Sequence, residues 1–388
     1  MIELLIVLLL PVAVYFGWWL ARSLERRSSA KHRQLFSNQY FQGLNYLLNE
    51  QPDKAIQVFL ELAEVNQDTV ETHMALGSLF RRRGEVDRAI RFHQNIIAKP
   101  GLEPEQCTQA LLELGEDYMK AGLLDRAERL FAELIETDSH TPAALHSLLE
   151  IYQQEKDWEK ALEQAQRLEQ ISGEHMGDTM AQFCCEMADA ALADNDRELA
   201  RRHLRQARRH DPRCIRARFI LAEIVADEGD YERSLNLYEE IAELDQDYIP
   251  EILEPYVNTA ARAGQEARGR AKLEEWAGQY KGISLVLKLA DYLGEEQGGD
   301  AAGHFLIETL ADKPSVRGLD RLIELKADGH LSTESSDDIL KAVTERLMAR
   351  QPSYRCSHCG FSGHTHHWQC PSCRHWSTTK KIHGVLGE

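Results

Sequence analysis

Apolar positions along this chain follow two regimes. Residues 4–21 read LLIVLLLPVAVYFGWWLA, eighteen positions without a charge. As a helix rising about 1.5 Å per residue, the run reaches about 27 Å, close to the roughly 30 Å hydrocarbon layer of a bilayer. Trp18 and Trp19 close it, where interfacial aromatics belong. Beyond it, apolar positions recur at helical spacing and a four-position template returns: small, large three later, small nine after that, large four later. It reads Gly43, Tyr46, Ala55, Phe59, then Gly77, Phe80, Ala89, His93, then Gly115, Tyr118, Ala127, Phe131. Weaker copies are Leu149, Tyr152, Ala161, Ala165; Ala188, Ala191, Ala200, Leu204; Ala222, Val225, Ser234, Tyr238; and Ala290, Leu293, Ala302, Leu306. A poor copy starts at Tyr256. Successive first positions stand 34, 38, 34, 39, 34, 34 and 34 residues apart. An interval held this often predicts stacked two-helix units, with small residues where the helices cross and large ones filling the gap to the next unit. Arg83-Gly84, Ala121-Gly122 and Glu228-Gly229-Asp230 mark turns between helices. Asp211-Pro212 and Lys313-Pro314 mark the ends of second helices.

The template resembles the tetratricopeptide repeat over residues 36–315. That resemblance implies an all-α, right-handed superhelical solenoid whose first helices line an extended surface for a peptide or protein. Here those helices mix Glu71, Met74 and Arg81 with Glu116 and Met119, so no one ligand type is specified. Each of these is expected to be a solvated side chain, and Arg81-Arg82-Arg83 to be a cationic helix end. Residues 316–349 continue helically through Leu319, Leu322 and Ile323, then Ile339, Val343 and Leu347, and are expected to cap the array and present the tail. The stretch 332–338 is read as a loop or helix start. Nucleophile-elbow, phosphate-loop and paired-carboxylate patterns are missing from the array, so an enzyme is not expected.

Length, charge and cysteine sharpen this picture. The 388 residues suggest two or three domains, and only 11 prolines suit a helical chain. A net charge of −18 disfavours nucleic acid as a partner, since phosphate binding needs basic faces. The charge is uneven. Arg22, Arg26, Arg27, Lys31 and Arg33 oppose only Glu25 in a basic linker, residues 22–35, directly after the apolar run. This flank marks its side as cytoplasmic and predicts a single-pass anchor, residues 1–21, with the amino terminus outside. A cleaved signal peptide would want basic residues before the run and small ones after it; here Glu3 precedes and tryptophans follow.

Cys107, Cys184, Cys185 and Cys214 are scattered through the helical body and are expected to be small buried hydrophobes. Cys184 and Cys185, adjacent on a helix, point about 100° apart and suit neither a mutual disulfide nor a shared metal. Cys356, Cys359, Cys370 and Cys373 are different: two C-x2-C knuckles ten residues apart, in a basic tail at 350–388. Each knuckle can turn two sulfurs towards one ion, and four thiolates complete a closed tetrahedral site for zinc or a single iron. His358, His364, His366, His367 and His375 lie nearby but are not needed as ligands. A unit this small buries little core, so the metal is expected to supply its folding energy.

Tyr354-x-Cys356-x-x-Cys359-Gly360-Phe361 with Trp368-x-Cys370-Pro371-x-Cys373 resembles the two knuckles of rubredoxin, which implies iron, although the loop between the knuckles is much shorter here. Anchor, repeat array and rubredoxin-like tail in this order resemble the lipopolysaccharide assembly protein B family of Gram-negative bacteria over essentially the whole chain. The resemblance implies a non-enzymatic inner-membrane adaptor, its body on the cytoplasmic side and its amino terminus periplasmic. It implies work with the membrane protease FtsH to promote degradation of the lipid A deacetylase LpxC, alongside other lipopolysaccharide synthesis or transport proteins. The family's four metal-binding cysteines fall on Cys356, Cys359, Cys370 and Cys373; its partner-contacting residues cannot be carried over, and a homodimer is left open. The competing readings are a mononuclear-iron redox sensor or electron carrier, and a nucleic-acid-binding ribbon that the acidic body disfavours.

Overall fold

Small residues spaced to let helices touch produce what the spacing predicted. The computed structural model describes residues 41–43, 45–46, 51, 54–59, 70–325, 351–384 and 387. The anchor at 1–21, the basic linker and the second part of the capping segment lie outside these. Among the described residues, no helix is long and apolar enough to cross a membrane.

The chain divides into two compact units, one up to Glu174 and one from His175. The first holds helical residues at 41–43 and 54–59, then α1 (Val70–Arg83), α2 (Val86–Ile97), α3 (Pro104–Lys120), α4 (Leu124–Glu136), α5 (Thr141–Glu155) and α6 (Trp158–Ser172). The second holds α7 (Gly177–Ala193), α8 (Arg197–His210), α9 (Ile215–Asp227), α10 (Tyr231–Leu244), a 3-10 turn (Gln246–Tyr248), α11 (Ile249–Arg262), α12 (Glu266–Gln279), α13 (Ser284–Gln297), α14 (Gly299–Asp312) and α15 (Val316–Leu325). Each first helix packs on the second helix that follows it, and α15 packs on α14.

The template has a direct steric cause. A Cβ on Gly115 would stand 2.6 Å from the Phe131 ring, one on Gly77 2.3 Å from His93, and one on Gly43 2.7 Å from Phe59. The large residue of the second helix thus lies against the bare backbone of the first. The turns between helices place Gly84, Gly122 and Gly229 at positive φ, which glycine adopts without steric cost. Asp157, Asp196 and Asp230 begin the second helices of three successive pairs, each side chain accepting a backbone N–H three residues on.

Two expectations change. The poor copy at Tyr256 is one residue out of step in its second helix. Tyr256 and Thr259 are buried at the expected positions of the first helix, but Gly269 and Leu273 hold those of the second, where the fixed 34-residue step placed Arg268 and Lys272. α11 has 14 residues where α9 has 13, so α12 begins 35 residues after α10, which a constant period of 34 passes over. The second correction is Arg81, which lies with Arg82 and Arg83 in the last turn of α1 as expected but is not solvated. Its guanidinium reaches Glu113 at 2.7 Å, Glu116 at 2.6 Å and Asp117 at 2.7 Å, bridging α1 to α3. The reason is His93, which occupies a site that phenylalanine fills in neighbouring repeats. A buried imidazole needs a polar partner; Asp117 supplies it at 2.5 Å, and Arg81 holds the other carboxylate oxygen. Burial opposes a charged Glu113, but its hydrogen bond to Arg81 and the Arg81 charge hold the carboxyl below its ordinary range.

Candidate metal centre

The carboxyl-terminal residues form a three-stranded antiparallel sheet with β1 (Tyr354–Cys356) between β2 (Ser362–Gly363) and β3 (Thr379–Lys381). Two matching turns hang from it. In the first, Gly360 N–H donates to Cys356 O and Cys356 N–H to Phe361 O; in the second, Arg374 N–H donates to Cys370 O and Cys370 N–H to His375 O. The fifth position of each turn has positive φ, Gly360 at 77° and Arg374 at 58°. The sequence signalled the first through its glycine and gave no sign of the second.

The turns bring all four cysteine sulfurs within 4.8 Å of one another. Cys356 and Cys373 stand 3.7 Å apart, as do Cys359 and Cys370. A tetrahedral ion with sulfurs at about 2.3 Å requires sulfur–sulfur edges of about 3.8 Å. The donor set and its spacing therefore fit one thiophilic metal ion. Cys356 and Cys370 are buried, Cys373 is half-buried and Cys359 is exposed. Burial works against a charged Cys356, yet the Thr378 hydroxyl and the Cys359 and His358 amides draw its thiol down to about 6. Cys373 goes the other way, to about 12: the His375 amide favours its thiolate, but partial burial and the other three sulfurs oppose it. Four crowded sulfurs share negative charge poorly until a cation joins them.

The histidines have other surroundings. His358 and His375 stack at 3.6 Å, and with Cys373 they form a second, more exposed group of donor atoms. His366 packs against Tyr248, Tyr354 and Trp368, and burial lowers its pKa.

This small domain is docked on the repeats of its own unit. Trp368 stacks on Tyr248 with ring centroids 5.5 Å apart, and Trp376 meets Phe183 edge-on at 6.2 Å. The Arg216 guanidinium lies 5.8 Å from the Trp368 ring and 5.9 Å from that of Trp376, while it pairs with Glu186 and Asp189 on α7. Tyr354 Oη donates to Glu251 at 2.6 Å, Gln182 Nε2 donates to Ser377, and Lys380 pairs with Asp245. Phe183, Arg216 and Glu251 lie on α7, α9 and α11, the first helices of three successive pairs. Of these contact residues the sequence pattern had marked only Tyr354 and Trp368, as part of the knuckles, and none on the repeats. One signal was available: Arg216 lies in the first turn of a mostly apolar helix, where the helix dipole disfavours cations.

The domain's own family is plain from comparison. The family model described as a rubredoxin metal binding domain matches residues 354–381, and tetratricopeptide models match 72–105, 112–175 and 185–249. Lipopolysaccharide assembly protein B of Escherichia coli strain K12 is 34% identical over 390 aligned positions, covering 100% of both chains. The chain belongs to the lipopolysaccharide assembly protein B family. Another member, from Haemophilus influenzae, is 33% identical with 98% of each chain covered. Among solved structures, that of MamA protein aligns with a TM-score of 0.36 at 16% identity, over 46% of this chain and 92% of its own. Family membership, the repeats and the clustered thiols agree on a mostly helical repeat protein with a small metal-binding domain at its carboxyl end.

Proposed function

We propose that this chain is a non-enzymatic adaptor in lipopolysaccharide assembly, anchored in the inner membrane through residues 1–21 with its repeats on the cytoplasmic side. End-to-end identity to lipopolysaccharide assembly protein B carries the reading. The array offers a protein-binding scaffold, and Cys356, Cys359, Cys370 and Cys373 hold one metal ion that maintains the docked domain. A closed four-thiolate site leaves no open position for substrate, which favours a structural role over catalysis. In the finer form of the proposal, the chain brings the deacetylase LpxC to the membrane protease FtsH and thereby sets the rate of lipid A synthesis. The charge-free run at 4–21 and the basic flank after it support the anchor and its orientation.

The test is the lifetime of LpxC in cells with and without the chain, together with recovery of FtsH and LpxC on the detergent-solubilised, tagged protein. Loss of the chain should lengthen LpxC lifetime, and a version lacking residues 1–21 should fail to restore it. An unchanged lifetime with neither partner recovered would reject the adaptor reading. Metal analysis with visible absorption separates zinc, which is colourless, from a mononuclear iron centre suited to electron transfer.

A further inference from the structure

Three buried thiols lie away from the candidate metal centre, on the repeats that carry the docked domain. Cys184 and Cys185 are on α7, and Cys214 caps the amino end of α9. Neighbours on a helix diverge by about 100°, and Cys185 is the one that faces Cys214, with their sulfurs 3.9 Å apart. A disulfide needs about 2.05 Å between sulfurs, a gap that rotation of the two short side chains and a small approach of the helices can close. The two sulfurs have unlike surroundings. Cys214 stands where unsatisfied helix amides favour an anion, and Gln182 Nε2 lies 3.8 Å from its sulfur. The two sulfurs share a hydrogen bond, and, against burial, this bond and the Ala217 amide lower the Cys214 pKa. That same bond, then burial, raises the pKa of Cys185. Of the pair, Cys214 is therefore the more acidic thiol and Cys185 the less acidic. A cavity of about 170 Å³ is lined by Cys214, Gln182, Tyr248, Trp376 and Ser377. That is ample for a molecule little larger than water, which occupies about 30 Å³ in the liquid.

We propose that Cys185 and Cys214 are a peroxide-oxidisable dithiol that closes to a reversible disulfide beneath the docked domain. The Cys214 thiolate attacks one oxygen of hydrogen peroxide; the O–O bond breaks, and the departing hydroxide takes a proton to become water. The Cys214 sulfenic acid that results is attacked by Cys185. The S–S bond forms as the S–O bond breaks, and the leaving hydroxide accepts the Cys185 proton. Two thiols are oxidised and one peroxide is reduced to two waters; two equivalents of a small thiol reverse the change. Arg216, two residues beyond Cys214, is the side chain lying against Trp368 and Trp376. Movement of the first turn of α9 is thus passed to the docked domain.

The experiment uses the full-length, metal-loaded protein in detergent, treated with hydrogen peroxide, blocked with N-ethylmaleimide and digested without reduction for mass spectrometry. A cross-linked peptide joining the Cys184-Cys185 segment to Cys214 is expected. It should vanish with dithiothreitol, survive Cys184→Ala and be lost in Cys185→Ala. Failure of the untreated-sequence protein to form this cross-link, while Cys107 or the four carboxyl-terminal cysteines oxidise, would overturn the proposal. So would a cross-link that persists in Cys185→Ala. The decisive first result needs no substitution, so a poorly folding variant cannot mask it, and it is independent of the adaptor reading.

Discussion

Replacing Trp368 by alanine tests how the carboxyl-terminal domain is held. The indole is half-buried, stacks on Tyr248 at an interplanar angle of 13° and lies beneath Arg216. Aromatic pairing is worth about 0.5–1.5 kcal/mol beyond burial, and a partly exposed cation–π contact about 0.5–1 kcal/mol. Half-burial of an indole removes roughly 100 Å² from water, worth about 2.5 kcal/mol at about 25 cal/mol per Å². Part of this burial is against the domain's own His366, so about 3 kcal/mol remains for docking, or about a hundredfold in its equilibrium. Hydrogen exchange on the full-length, metal-loaded protein reads it directly. Trp368→Ala should speed exchange of the amides around Asp245–Glu251 and the first turn of α9, with metal content and exchange in α1 to α4 unchanged. Trp368→Phe should recover most of the protection. Wild-type exchange in the alanine variant would refute the docking energetics, and loss of metal in parallel would show that the ring acts on the knuckles instead.

Other consequences are open to simpler measurements. Cys356→Ser or Cys370→Ser should abolish metal binding, worth about 10–16 kcal/mol in small zinc domains, and unfold residues 354–381 while helical circular dichroism stays near wild type; an intact, protease-resistant tail would contradict this. Gly115→Ala sets a methyl 2.6 Å from the Phe131 ring and should cost about 1–3 kcal/mol, read as a drop of several degrees in melting temperature. Glu113 is held below its ordinary pKa, so its contribution to stability is complete above the ordinary glutamate range and lost as pH falls through the folded value. Glu113→Gln should flatten that acid limb of the pH–stability curve, and an unaltered slope would assign the acid sensitivity elsewhere.

Local sterics made the repeats legible: Gly77, Gly115 and their partners occur at fixed offsets because backbone contact permits no Cβ. The four cysteines were legible because each C-x2-C knuckle is itself a local structure. The step at Tyr256 misled because a fixed period cannot register the extra residue that α11 carries relative to α9. Arg81 misled because its partners lie on the following repeat, more than thirty residues away. The docking surface was hidden for the same reason at greater range, with Gln182 and Ser377 separated by 195 positions. The Cys185–Cys214 approach was equally hidden, since sequence adjacency drew attention to Cys184 and Cys185 instead.

Stacked repeats ordinarily behave as a one-dimensional chain, in which each unit senses only its neighbours and the end can fray one unit at a time. A domain that grips Phe183, Arg216 and Glu251 together breaks that rule. It acts as a strut across three units, so none of them can open alone while the strut holds. Chelation would then do more than unfold a short tail. It would turn one cooperative transition of these repeats into a graded unzipping, and the steepness of their denaturation would report metal occupancy.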